Sequence, residues 1–240
     1  MNTIFTVFKR EFFGYFRSPV AYVLLAGFHL LAAAMTFFVG GFFRSGTASL
    51  EPFFTFVPWM FIILVPAAAM RLWAEERRAG TIELMFTLPI TTTAAVIGKF
   101  LAAWAFITIA IVLTFPFALT VGYLGSPDWG VIITSYLGSI LMAAAYLGIC
   151  SLASAFTRNQ VIAFVFGFFA CLVLTLLGWS VFSNLLNAIF PVPVVDALSN
   201  FSFTTHFESM TRGLIDLRSI VFFVSLTAFS LLVNILVLER

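Results

Sequence analysis

The sequence predicts an all-α fold: a polytopic membrane helical bundle with six transmembrane helices and an N-terminal interfacial helix. Three observations carry this. Of 240 residues, 62% are apolar and only 9% are charged, where a soluble domain is nearer half apolar and a quarter charged. Crossing a hydrocarbon core of ~30 Å takes about 20 helical residues, and uncharged runs of that length recur along the chain. The runs are continuous rather than alternating, which excludes a closed barrel. So few charges cannot clothe a soluble enzyme or form a dense basic patch, so no nucleic-acid partner is expected.

The spans follow from where the 12 Lys+Arg and 10 Asp+Glu sit. Boundaries at charges place them at 19–42, 53–72, 100–124, 130–156, 159–181 and 219–238, within one transmembrane domain over 1–240. With the N-terminus inside, Lys9, Arg10, Arg17, Arg71, Arg77, Arg78, Lys99, Arg158 and Arg240 share the cytoplasmic face. Only Arg44, Arg212 and Arg218 lie outside. The positive-inside rule therefore predicts cytoplasmic N- and C-termini. Glu11 interrupts the first basic stretch and the apolar run behind it is too long for a signal peptide, so residues 1–42 read as a retained anchor.

Residues 1–18 have helical period. Phe5, Phe8, Phe12, Tyr15 and Phe16 share one face, while Arg10 and Arg17 oppose it. Such a helix lies in the interface, with phenylalanines in acyl chains and arginines toward anionic headgroups, so membrane lipids are an expected partner.

Residues 74–90 form a second charged element. Glu75 and Glu76 are expected to continue from the second span into water, followed by Arg77 and Arg78. Gly80 allows a change of direction and Thr81 is a good N-cap for a new helix. Glu83 then sits in its first turn and Pro89 stops it. Ile82, Leu84, Met85 and Phe86 lie along the two-turn helix that results, with Ile82, Met85, Phe86 and Leu88 free to dock a cytosolic partner. On spacing alone the segment is equally an ordinary salt-laced loop.

Within the spans, Gly138, Ser139, Ala143, Ala144, Ala145, Gly148, Ser151 and Ser154 make the fourth small-sided and suited to close packing, with a pore-lining role as the alternative. Pro66 and Pro116 are candidate kinks. Cys150 and Cys171 read as apolar fillers. His29 reads as hydrogen-bonded between helices, with a proton relay as the sharper alternative. The outer segment 182–218 carries Leu185, Leu186, Ile189 and Phe190 ahead of Pro191 and Pro193, the pattern of a short re-entrant or interfacial helix that ends at the prolines. Glu208, Arg212 and Asp216 follow at i, i+4 and i+8, as on an ion-paired helical face.

No Ser/His/Asp or metal-ligand spacing is present, and Gly98-Lys99 lacks the other residues of a P-loop. The chain is not expected to be an enzyme. The run Glu75-Glu76-Arg77-Arg78-Ala79-Gly80-Thr81-Ile82-Glu83-Leu84 through Leu88-Pro89-Ile90 resembles the coupling-helix signature of type 2 ABC exporter permeases, and most closely the gliding-motility-type branch. The N-terminal helix ahead of Pro19, Arg158-Asn159-Gln160, and His206-Phe207 through Gly213-Leu214-Ile215-Asp216 extend the resemblance over nearly the whole chain.

The resemblance implies a permease in the bacterial inner membrane, exporting an unidentified substrate and pairing with a second permease, the same or related. Two copies of an ABC ATP-binding subunit would carry ATP and Mg, with none bound by this chain. Residues 75–86 would be the contact, and Leu185, Leu186, Ile189 and Phe190 a possible outer gate. The alternative is a membrane module that passes ATP-driven motion to a periplasmic or motility assembly, with a periplasmic accessory protein as partner. An ion-coupled carrier ranks last, because all ten acidic residues fall at span ends or in loops.

Overall fold

The computed structural model of the chain describes residues 3–81 and 90–239, and among these every regular element is helical. Helix α1 (Thr3–Arg17) is separated by Ser18 from α2 (Pro19–Ala33), which opens on a proline suited to a first turn. α2 runs on as a π-helix (Ala34–Val39), and the one-turn α3 (Phe42–Ser45) follows. Next come α4 (Glu51–Ala69), a turn, and the short α5 (Ala74–Ala79). α6 (Thr92–Val112) breaks at Thr114 into α7 (Phe115–Leu124), two residues ahead of Pro116. By contrast, α4 remains helical through Pro58 and Pro66.

The remaining elements are α8 (Trp129–Ala155), α9 (Gln160–Leu176), α10 (Ser180–Asn187), α11 (Val192–Ser199), α12 (Phe203–Thr211) and α13 (Leu217–Leu238). The starts obey capping chemistry. Thr91, Asp128, Asn159, Ser202 and Asp216 each accept a hydrogen bond from a backbone N–H of the helix they precede.

Among the described residues, five segments are long and apolar enough to cross a membrane: Pro19–Arg44, Glu51–Ala79, Thr92–Leu124, Trp129–Ala155 and Leu217–Leu238. α9 and α10 make a sixth when taken as one broken span, bent by 81°. That bend corrects the fifth predicted span: the uncharged run continues to 181, but the helix stops at Leu176. The third span also starts earlier than predicted, because Lys99 lies inside α6 rather than before it.

The small-sided α8 is the axis of the bundle, packed against α4, α6, α9, α12 and α13. Its Ser139, Ala143, Ala145 and Ser154 are completely buried, as backbones at close approach require. α2 and α13 lie at the periphery, with only 17% of their apolar windows buried.

The bundle thus has a terminal end, holding α1, the α4–α5 joint and the close of α8 and α13, and a far end holding α3, α10–α12 and the start of α8. Cys150 and Cys171 meet across α8 and α9 with sulfurs 3.5 Å apart, both as free thiols. The interhelical bond expected for His29 is not formed. Its Nδ1 meets Leu25 O of its own helix at 2.7 Å, and among the described residues its buried Nε2 has no partner.

Candidate functional site

The two charged segments of the sequence converge at the terminal end. α1 lies along α6, with Ile4 and Val7 against Gly98, Glu11 toward Lys99, and Tyr15 and Phe16 of the aromatic face against Phe106. A Cβ at Gly98 would stand 2.8 Å from Val7 Cβ, so glycine is what admits α1 this closely. Phe5, Phe8, Phe12 and Phe16 form an aromatic row, stacked from Phe5 to Phe12 and edge-on at Phe16, with Arg10 and Arg17 exposed. Tyr15 stacks on Phe106 and donates to Ala68 O at 3.0 Å, tying α1 to α4. Burial pushes the Tyr15 phenol well above the usual tyrosine range, and the Glu11 carboxylate adds to this while Arg71 opposes it.

Between α4 and α5 the chain turns through Met70 to Trp73, which exposes backbone groups in a buried place. Ser154 of α8 satisfies them: its Oγ accepts from Trp73 N and Ala74 N, each at 3.1 Å, and donates to Met70 O at 3.1 Å. The Trp73 ring is fully buried and donates from Nε1 to Ser151 Oγ at 3.3 Å. Asn234 of α13 donates to the same oxygen at 2.8 Å.

Lys99 completes the joint. Only 3% exposed, it places Nζ 2.7 Å from Glu76 Oε1, 3.5 Å from Glu11 Oε1 and 3.1 Å from Leu72 O, and 5.1 Å from the centre of the Trp73 ring. A buried ammonium requires this much compensation. Arg71 meanwhile donates to Ser18 Oγ at 3.2 Å. A cavity of about 300 Å³ opens beside the cluster, lined by Glu11, Tyr15, Arg71, Glu75, Glu76 and Lys99.

This corrects the expectation that Glu75 and Glu76 both run into water. Glu75 is exposed, but Glu76, one helical step further round, turns inward to Lys99. Arg77 is half-buried and Arg78 exposed. Gly80 adopts φ +68° and its N–H bonds to Glu76 O, a left-handed cap that ends α5 and that glycine makes easy. Thr81 Oγ1 lies 3.5 Å from the same carbonyl. Ile82, Glu83, Leu84, Met85 and Phe86 lie outside the described residues.

At the far end, Leu185 and Leu186 sit on α10, whose residues are all at least partly exposed, and Ile189 and Phe190 follow it, both exposed. Arg212 pairs with Glu208, but Asp216 does not extend the row. α12 ends at Thr211, and Asp216 caps α13 instead, accepting from Arg218 N at 3.0 Å.

One joint therefore links α1, α5, α6, α8 and α13, and a helix stub leaves it directly into the segment singled out by its sequence. Residues 32–238 match the family described as ABC-2 family transporter protein. The chain belongs to that family. No curated protein matches it.

An ABC-2 permease is the membrane component of an ABC transporter, generally not itself catalytic, and the family implies association with an ATP-binding subunit. With its run of long apolar helices, this permease is a multi-pass membrane protein. Trp73, Lys99, Ser151, Ser154 and Asn234 form the joint without having been singled out for it. In the sequence Lys99 marks a span boundary and the two serines belong to a small-sided helix face. The one available signal was a lysine immediately followed by a long uncharged run.

Proposed function

We propose that this permease exports its substrate across the bacterial inner membrane, with both termini in the cytoplasm. Two copies of an ATP-binding subunit, carrying ATP and Mg, dock beneath a pair of permeases, this chain with a second copy or a related one. Residues 75–86 are the docking element. Glu75 and Glu83 are its charged contacts, Gly80 its bend, and Ile82, Met85 and Phe86 its apolar foothold.

The observation that carries this reading is the joint around Trp73. A push on α5 is delivered to α8 through Ser154, to α6 through Lys99, to α1 through Glu11 and to α13 through Ser151 and Asn234. Hydrogen-bonded, buried contacts of this kind move as one body, which is what a lever needs. Leu185, Leu186, Ile189 and Phe190 stand at the opposite end as a candidate outer gate.

The test uses the purified complex in vesicles. Gly80→Trp and Glu83→Lys should each leave the permease folded while reducing its co-purification with the ATP-binding chain, or its effect on that chain's ATPase rate, by about tenfold. Wild-type co-purification and ATPase rate in both variants would overturn the assignment of residues 75–86.

A further inference from the structure

A cleft lies at the far end of the bundle, away from the joint. It encloses about 600 Å³ between the outer turns of α4 and one face of α12, floored by the α9–α10 break. Trp59 and Trp179 meet edge to face across its floor, ring centres 5.8 Å apart, with Pro58 and Phe54 beside them. Above them stand Thr55, Thr204 and Thr211, then Glu51, Glu208 and Arg212.

Its walls are fixed before any ligand arrives. α12 is held to α8 by Thr134, which donates to Met210 O at 3.0 Å. Ser202 and Thr204 donate to Thr175 O of α9. His206 bonds Ser219 Oγ and Asn200 O and stacks on Phe222 with centres 4.1 Å apart.

The charges are unbalanced. Arg212 pairs with Glu208, whereas among the described residues Glu51 makes no ion pair. Two carboxylates against one guanidinium leave the cleft one negative charge, set over indole rings whose π faces also favour cations. A concave site that sets an aromatic surface beside hydroxyl and charged groups can hold a small ligand with both an apolar and a charged part.

We propose that this cleft binds a cationic amphiphile, with its positive centre at Glu51 and its apolar body on Trp59 and Trp179. The negative balance disfavours an anionic lipid or polymer. This goes beyond the coupling reading and does not depend on it, because binding requires neither nucleotide nor partner subunit.

The experiment uses the full chain in phosphatidylcholine nanodiscs, with empty nanodiscs subtracted. Equilibrium dialysis measures labelled tetraphenylphosphonium, its isosteric anion tetraphenylborate, and maltotriose. Saturable binding of the phosphonium at one site per chain is expected, with no saturable binding of the borate. Glu51→Gln should weaken it by about fivefold or more, and Trp59→Phe with Trp179→Phe by about threefold. Glu51→Gln conserves shape at an exposed position, so it tests the charge even if the tryptophan variant fails to fold. Equal saturable binding of both ions, binding of maltotriose in their place, an unchanged affinity in Glu51→Gln, or no saturable binding at all would each overturn the proposal.

Discussion

The two ends of this permease handle charge in opposite ways. At the terminal end, Lys99 is buried and answered by Glu76, Glu11, a backbone carbonyl and an indole face. At the far end, Glu208 and Arg212 pair in the open, with side chains 61% and 70% exposed, and Glu51 faces an open cleft. A buried charge cluster is intolerant of change and therefore holds elements in register, while exposed charges adjust to whatever approaches. The proposed roles follow this division, transmission of a displacement at the terminal end and ligand binding at the far end.

The sharpest way to break that contrast is Lys99→Met. It strands Glu76 and should lower the stability of the permease by about 3 kcal/mol, read as a fall in thermal unfolding temperature in detergent. Adding Glu76→Gln should recover part of the loss. Equal losses in the single and double variants would mean that Lys99 and Glu76 do not act as a pair.

Next in size is Ser154→Ala, which leaves Trp73 N and Ala74 N without their acceptor. The expected loss is about 2 kcal/mol, with hydrogen exchange at residues 73 and 74 accelerating before that of α8.

Gly98→Ala should cost about 1 kcal/mol by forcing Val7 away. The signature is faster tryptic cleavage after Lys9 and Arg10 as α1 lifts from α6. At the far end, Arg212→Ala should change stability by no more than about 0.5 kcal/mol. A loss comparable to that of Lys99→Met would erase the distinction between the two ends.

The sequence exposes these two ends unequally. Charge spacing locates spans because burying an unpaired charge in hydrocarbon is expensive. It also finds the glycine at Gly80 and the close packing of α8, whereas Asp216, which it places on an ion-paired face, caps α13 instead. It is blind to the bend after Leu176, where no charge marks the break. It is blind also to the joint, whose partners lie far apart along the chain, as Trp73 does from Ser154 and Ser151 from Asn234. A serine that satisfies a turn on another helix looks, in sequence, like any small residue. Lys99 misleads for a related reason: a lysine at the edge of an apolar run reads as a boundary unless its acidic partners are known. For α1, helical period reveals the aromatic face, yet the protein contact takes only its Tyr15 and Phe16 end and continues along Val7 and Glu11. Packing against Gly98 decides that, not amphipathicity.

The rigidity of the joint can be measured directly. Spin labels at Arg78 and Phe156, exposed positions on α5 and just past α8, report on either side of Ser154. In the complex with its ATP-binding subunit, the separation should stay single and narrow through nucleotide binding and hydrolysis, because α5 and α8 move together. A separation that shifts or splits when ATP binds, in a sample that still hydrolyses it, would show that α5 swings free of α8 and that the joint does not carry the stroke.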